Sequence, residues 1–125
     1  MILVDSSAWI HCFRPEGNVL IRERVQTALE TGEAVWCDMV KLELWNGARG
    51  DREKRVLREL ESAVPLVSCT QEVWEEAYRI ARAVREKGQT VPATDLLIFA
   101  CARFHHATIL HTDRHLDWLA QHIKA

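Results

Sequence analysis

No run of eighteen apolar residues occurs in the chain, so a membrane-spanning helix is not expected. The start, Met1-Ile2-Leu3-Val4-Asp5, lacks both a basic segment and a small-residue cleavage site, which argues against a secretory signal. The four cysteines, Cys12, Cys37, Cys69 and Cys101, form no C-x-x-C pair and mostly sit among apolar neighbours. They read as reduced, buried thiols, which suits a cytoplasmic protein. H-E-x-x-H is also missing, and His111 and His115 fall on two different elements. The histidines crowding the C-terminus, His105, His106, His111, His115 and His122, are therefore read as surface or partner-facing groups rather than zinc ligands. There is no internal repeat, linker or low-complexity tract, and 125 residues suit one domain spanning 1–125. Positive charge is not in excess either. The net charge is −2, whereas chains that bind nucleic acid are usually basic.

The remainder has an ordinary globular balance, 48% hydrophobic and 27% charged. Short apolar runs alternate with amphipathic stretches. Ile2-Leu3-Val4, Ala34-Val35-Trp36-Cys37, Val64-Pro65-Leu66-Val67 and Thr108-Ile109-Leu110-His111 read as strands, the third at a sheet edge because of its proline. Ser6 or Ser7, Asp38 and Thr70 are placed to cap the helices that follow them. Gly32, Gly47 and Gly88 stand where helices stop. Residues 51–62 form a charged helix, and Val73, Ala77, Ile80, Ala81 and Val84 make an apolar stripe along another. Asp95 to Ala102 is apolar nearly all round, the mark of a helix buried in the core. Strands alternating with helices predict an α/β fold, a parallel sheet covered on both faces.

Four acids conflict with their surroundings. Asp5 and Asp113 each follow an apolar strand, and in parallel sheets sites form beyond the carboxyl ends of strands. Asp95 heads the most apolar helix, and Glu43 lies between Leu42 and Leu44. Buried carboxylates are costly unless paired or bound to a cation. One convergent site for Mg²⁺, or Mn²⁺, follows, and with it phosphodiester hydrolysis. Taken singly, Asp95 also reads as a helix cap, Asp113 as a turn aspartate and Glu43 as a half-exposed helix residue. A phosphatase or receiver is excluded, because the first strand ends in D-S-S-A rather than D-x-D or paired acids.

Val4-Asp5-Ser6-Ser7 resembles the opening motif of PIN domains. Val40-Lys41-Leu42-Glu43-Leu44-Trp45-Asn46-Gly47 is similar to their glutamate helix. Asp95-Leu96-Leu97-Ile98-Phe99-Ala100-Cys101-Ala102 resembles their third motif, and Leu110-His111-Thr112-Asp113-Arg114-His115-Leu116 their closing one. The order and the length resemble PIN-domain ribonuclease toxins of the VapC type. The resemblance implies a three-layer α/β/α sandwich and an Mg²⁺- or Mn²⁺-dependent endoribonuclease. It implies an acidic site of Asp5, Glu43, Asp95 and Asp113, with Asp5, Asp95 and Asp113 as metal ligands and Ser7 and Thr112 in support. It also implies an RNA substrate, a cognate VapB-type antitoxin and a homodimer, with Trp9 and Trp45 available to its interface. Setting aside four metal-binding carboxylates moves the charge from −2 to +2, which removes the objection from charge.

The closing motif departs from the family pattern. His111 stands two places before Asp113 where relatives carry threonine, and His115 stands where many carry an acid, so a part for His115 or Asp117 is open. A DNA-directed nuclease and a non-catalytic RNA- or protein-binding scaffold are the alternatives on the same fold. Arg79, Arg82 and Arg85 read mainly as a solvated, salt-bridged helix face, and Arg49, Arg52, Lys54 and Arg55 as a second basic cluster near Glu43.

Overall fold

A computed structural model describes residues 1–124. Four short strands, β1 (Ile2–Val4), β2 (Ala34–Cys37), β3 (Leu66–Val67) and β4 (Thr108–Leu110), form one sheet in the order β3-β2-β1-β4. Every pairing is parallel. Leu3 faces Val35 on one side and Ile109 on the other, and Trp36 faces Leu66. Among the described residues seven helices accompany them: α1 (Ser6–Phe13), α2 (Val19–Glu30), α3 (Asp38–Asn46), α4 (Gly50–Ala63), α5 (Gln71–Glu86), α6 (Ala93–Phe104) and α7 (Arg114–His122). Successive strand residues point to opposite faces, yet Leu3 and Val4 are both fully buried, so helices cover both faces of the sheet. This is the α/β sandwich expected.

β3 does occupy the edge, and it is shorter than expected. Pro65 lacks an N–H and contributes only its carbonyl, which accepts from the Trp36 amide (3.2 Å), so the ladder begins at Leu66. α6 starts two residues before Asp95, with Pro92 at its cap and no side chain bonded there. Thr70 caps α5 as expected, its hydroxyl accepting from the Val73 amide. Two other capping assignments are corrected. Asp5, not Ser6 or Ser7, caps α1, and Cys37 precedes α3 while the Asp38 carboxylate accepts from the Cys69 amide at 2.7 Å. On α3 the inward face is Val40 and Leu44, four apart, which turns Leu42 out to 60% exposure.

Trp9 is 1% exposed and its ring centre lies 6.1 Å from that of Trp36. It belongs to the core, which removes it from any dimer surface. Trp45 stays half-buried and donates its indole N–H to Glu61. Arg79 pairs with Glu76, and Arg85 donates to Thr90, so both are engaged on the exposed face of α5. Among the described residues no helix is long and apolar enough to cross a membrane.

Candidate active site

β1 and β4 are adjacent and parallel, so the segments after them leave the same edge of the sheet, and the Asp5 amide still donates to Leu110 O (2.9 Å). Asp5 caps α1 and Asp113 caps α7. In each case one carboxylate oxygen is used: Asp5 Oδ2 accepts from the Ser7 amide and hydroxyl, and Asp113 Oδ1 accepts from the His115 and Leu116 amides. Capping thus fixes each aspartate's rotamer and leaves its other oxygen free. Asp5 Oδ1 is buried and has no hydrogen-bond partner.

Glu43 comes from α3 and Asp95 from the first turn of α6. With Asp5 and Asp113 they line one cleft of about 360 Å³, together with Ser6, Ser7, Ile10 and Phe13. The structure therefore brings together all four acids singled out in the sequence. Since α6 is not capped by Asp95, the plain capping alternative fails for that residue. Asp113, which singly reads as a turn aspartate, caps α7 and also forms a wall of the cleft.

Ser7 and Thr112 act as one brace. The Ser7 hydroxyl donates to Asp5 Oδ2 (2.6 Å) and accepts from the Thr112 amide (3.0 Å), while the Thr112 hydroxyl donates to the Ser7 carbonyl (3.2 Å). Two further residues join the site. The Ser6 hydroxyl donates to Glu43 Oε1 (3.0 Å). His115 places Nδ1 3.4 Å from Asp113 Oδ1 and 3.6 Å from Asp95 Oδ2. Asp117 instead turns to His111 (3.5 Å) and is largely exposed. Ser6 was legible only as a possible cap. The signal for His115 was its place two residues after Asp113, in the first turn of the next helix.

The electrostatics follow from crowding. Burial pushes the Asp95 carboxyl up to about 6, the charges of Asp113 and Asp5 add to this, and His115 opposes it. Burial also raises Glu43, the Ser6 hydroxyl pulls it back, and Asp5 and Asp113 raise it further. Asp95, Asp113 and His115 each offer a ligand atom within 4.8 Å of the others. Together with the unpartnered Asp5 Oδ1, these carboxylate oxygens and one imidazole nitrogen are compatible with a metal site. A larger hollow of about 780 Å³ runs along α2 and the outer side of β4, among Leu20, Ile21 and Ile109. Its acids, Glu23 and Glu33, are exposed, so volume alone does not mark the site. Convergence of desolvated carboxylates does.

The PIN-domain family model matches residues 2–121. Ribonuclease VapC11 of Mycobacterium tuberculosis is 33% identical over 124 residues, covering 97% of this chain and 92% of the relative. The structure of VapBC-1 from nontypeable Haemophilus influenzae superposes with a TM-score of 0.74 at 18% identity, covering 97% of this chain and 94% of that one. A toxin–antitoxin complex from Klebsiella pneumoniae gives 0.68 at 18% identity, covering 87% and 83%. The family model matches nearly the whole chain, and the chain belongs to the PIN-domain family.

Proposed function

We propose that the chain is an endoribonuclease dependent on Mg²⁺ or Mn²⁺, the toxin of a toxin–antitoxin pair. The observation that carries this is the meeting of Asp5, Glu43, Asp95 and Asp113, from four separate elements, in one cleft. The 33%-identical relative is a ribonuclease, which supports RNA as the substrate, and the Klebsiella assembly is a toxin–antitoxin complex, which supports an antitoxin as the partner. A VapB-type antitoxin, a homodimer of a single 1–125 domain and a cytoplasmic setting complete the reading.

Asp5, Asp95 and Asp113 would hold the cation, which supplies a hydroxide-like nucleophile and offsets charge on the phosphate oxygens. The chain's own groups do the rest. Ser6 holds Glu43 by Oε1, which leaves Oε2 to orient a water and take its proton. The raised proton affinity of Glu43 strengthens it as that base. Ser7, braced by Thr112, engages Asp5 Oδ2 and keeps Oδ1 free of other partners. Ile10 and Phe13 form an apolar wall that limits bulk water.

The test is cleavage of an RNA transcript by the purified chain, with a duplex DNA of the same sequence beside it. RNA cuts that vanish in EDTA, return with Mg²⁺ or Mn²⁺ and are absent from Asp95→Asn support the reading. Equal cutting after exhaustive chelation contradicts it, and preferential cutting of the DNA favours the alternative substrate.

A further inference from the structure

Cys37, Cys69 and Cys101 lie 32 residues or more apart in sequence, yet their Sγ atoms all fall within 4.8 Å of one another. They come from three elements: the end of β2, the loop after β3, and α6. Cys37 and Cys101 are fully buried, while Cys69 is half-buried and opens the cluster to the surface. We propose that these three thiols form a second cation site, specific for a thiophilic ion of the Zn²⁺ type and independent of the acidic cleft.

Geometry is the main argument. Three thiolates bound at about 2.3 Å to one tetrahedral ion stand about 3.8 Å apart, so a contraction of less than about 1 Å forms the triangle. The fourth position then faces solvent on the Cys69 side and takes a water. Charge is the second argument. Three thiolates and one Zn²⁺ leave a net −1, and α3 directs the amides of its first residues, Asp38 and Met39, at Cys69. Cys101 Sγ lies 3.7 Å from the Val67 carbonyl and 3.8 Å from that of Ser68, where its proton rests. Binding forms three S–metal bonds and releases the three thiol protons to solvent. Ordinary buried cysteine accounts for one such side chain among apolar neighbours, but not for three converging beside helix N-terminal amides.

The placement has a structural consequence. Cys37 directly precedes α3, which carries Glu43, and Cys101 lies on α6, which carries Asp95. An ion here ties together the two helices that bring acids to the cleft, without touching the cleft. Softness separates the two sites, because Mg²⁺ does not compete for thiolate.

The full chain, reduced and stripped of metal, is titrated with Co²⁺ in a large excess of Mg²⁺, which keeps the acidic cleft filled. One equivalent of Co²⁺ should produce thiolate-to-metal charge-transfer absorption and the visible bands of a tetrahedral ion, and one equivalent of Zn²⁺ should abolish both. Cys69→Ser, at a half-exposed position that tolerates the change, should lose the absorption while keeping its circular dichroism. Cys12→Ser should keep the absorption. Zn²⁺ should raise the wild-type melting temperature and not that of Cys69→Ser. The proposal is overturned if wild type shows no thiolate absorption, if the absorption survives Cys69→Ser, or if Mg²⁺ displaces it. Formation of a disulfide among the three in a protein whose reduced form binds no Co²⁺ overturns it as well.

Discussion

The Ser7 hydroxyl donates to Asp5 Oδ2 across 2.6 Å, and this bond leaves Oδ1 as the buried oxygen without a partner. The same hydroxyl accepts from the Thr112 amide, so one oxygen joins the ends of β1 and β4. Ser7→Ala removes both bonds and leaves Asp5 Oδ2 with the Ser7 amide alone. It should cost about 1–3 kcal/mol of stability, since a buried polar group loses a partner, and should lower RNA cleavage at least tenfold. Thr112→Ala removes only an exposed hydroxyl bond and keeps the amide that meets Ser7. It should cost roughly 1 kcal/mol or less and leave cleavage near wild type. Denaturant melts and single-turnover cleavage of both variants check this. Equal losses in the two would contradict the brace.

A second expectation concerns pH in the metal-free protein. Asp95 is raised in the folded state from 3.8 to about 6, so the fold binds its proton more tightly than the unfolded chain does. That stabilisation is full below about pH 4 and is lost as pH rises through about 6. Asp95→Asn removes the titration while keeping the shape. In EDTA the melting temperature of Asp95→Asn minus that of wild type should grow between pH 4 and pH 7, then level off. A difference independent of pH would show that Asp95 is not strained by its neighbours.

How far the site could be read from the sequence depended on the kind of signal. Asp5, Glu43, Asp95 and Asp113 stood out because each sits in an apolar or strand-end context that penalises a carboxylate, and local sequence records that conflict. The parallel sheet was legible from alternating runs. Contacts across elements left no such mark. Ser6 meets Glu43 across 37 positions, and the thiols of Cys37, Cys69 and Cys101 converge from three elements. Trp9 read as a core or an interface residue with equal ease, because a large aromatic side chain serves either, and only the neighbouring ring of Trp36 placed it inside.

Arg14 and Glu53 form an ion pair that also escaped the sequence, 39 residues apart and largely buried. Glu53 accepts from the Arg49 amide too (2.8 Å), so it anchors the start of α4 to the end of α1. Glu53→Ala leaves Arg14 uncompensated and should cost about 1–3 kcal/mol, less than a deeply buried pair because both side chains keep some solvent. In a chain of this size that lowers the melting temperature by several degrees. Adding Arg14→Met to Glu53→Ala should recover part of the loss. Strict additivity in a double-mutant cycle would mean the two charges do not interact.

Thermal melts of wild type and Asp95→Asn, with and without Mg²⁺, decide whether the acidic cleft is built to hold a divalent cation. Two carboxylates about 5 Å apart repel by about 3 kcal/mol at an effective dielectric of about 20, before solvation and protonation soften the effect. In EDTA at neutral pH, Asp95→Asn should therefore melt no lower than wild type. Adding Mg²⁺ should raise the wild-type melting temperature, because the cation binds the folded cluster and not the unfolded chain. It should do much less for Asp95→Asn, which has lost a ligand. If Asp95→Asn melts several degrees below wild type in EDTA, and Mg²⁺ shifts both proteins equally or neither at all, the four carboxylates are structural groups and the cleft is not a cation site.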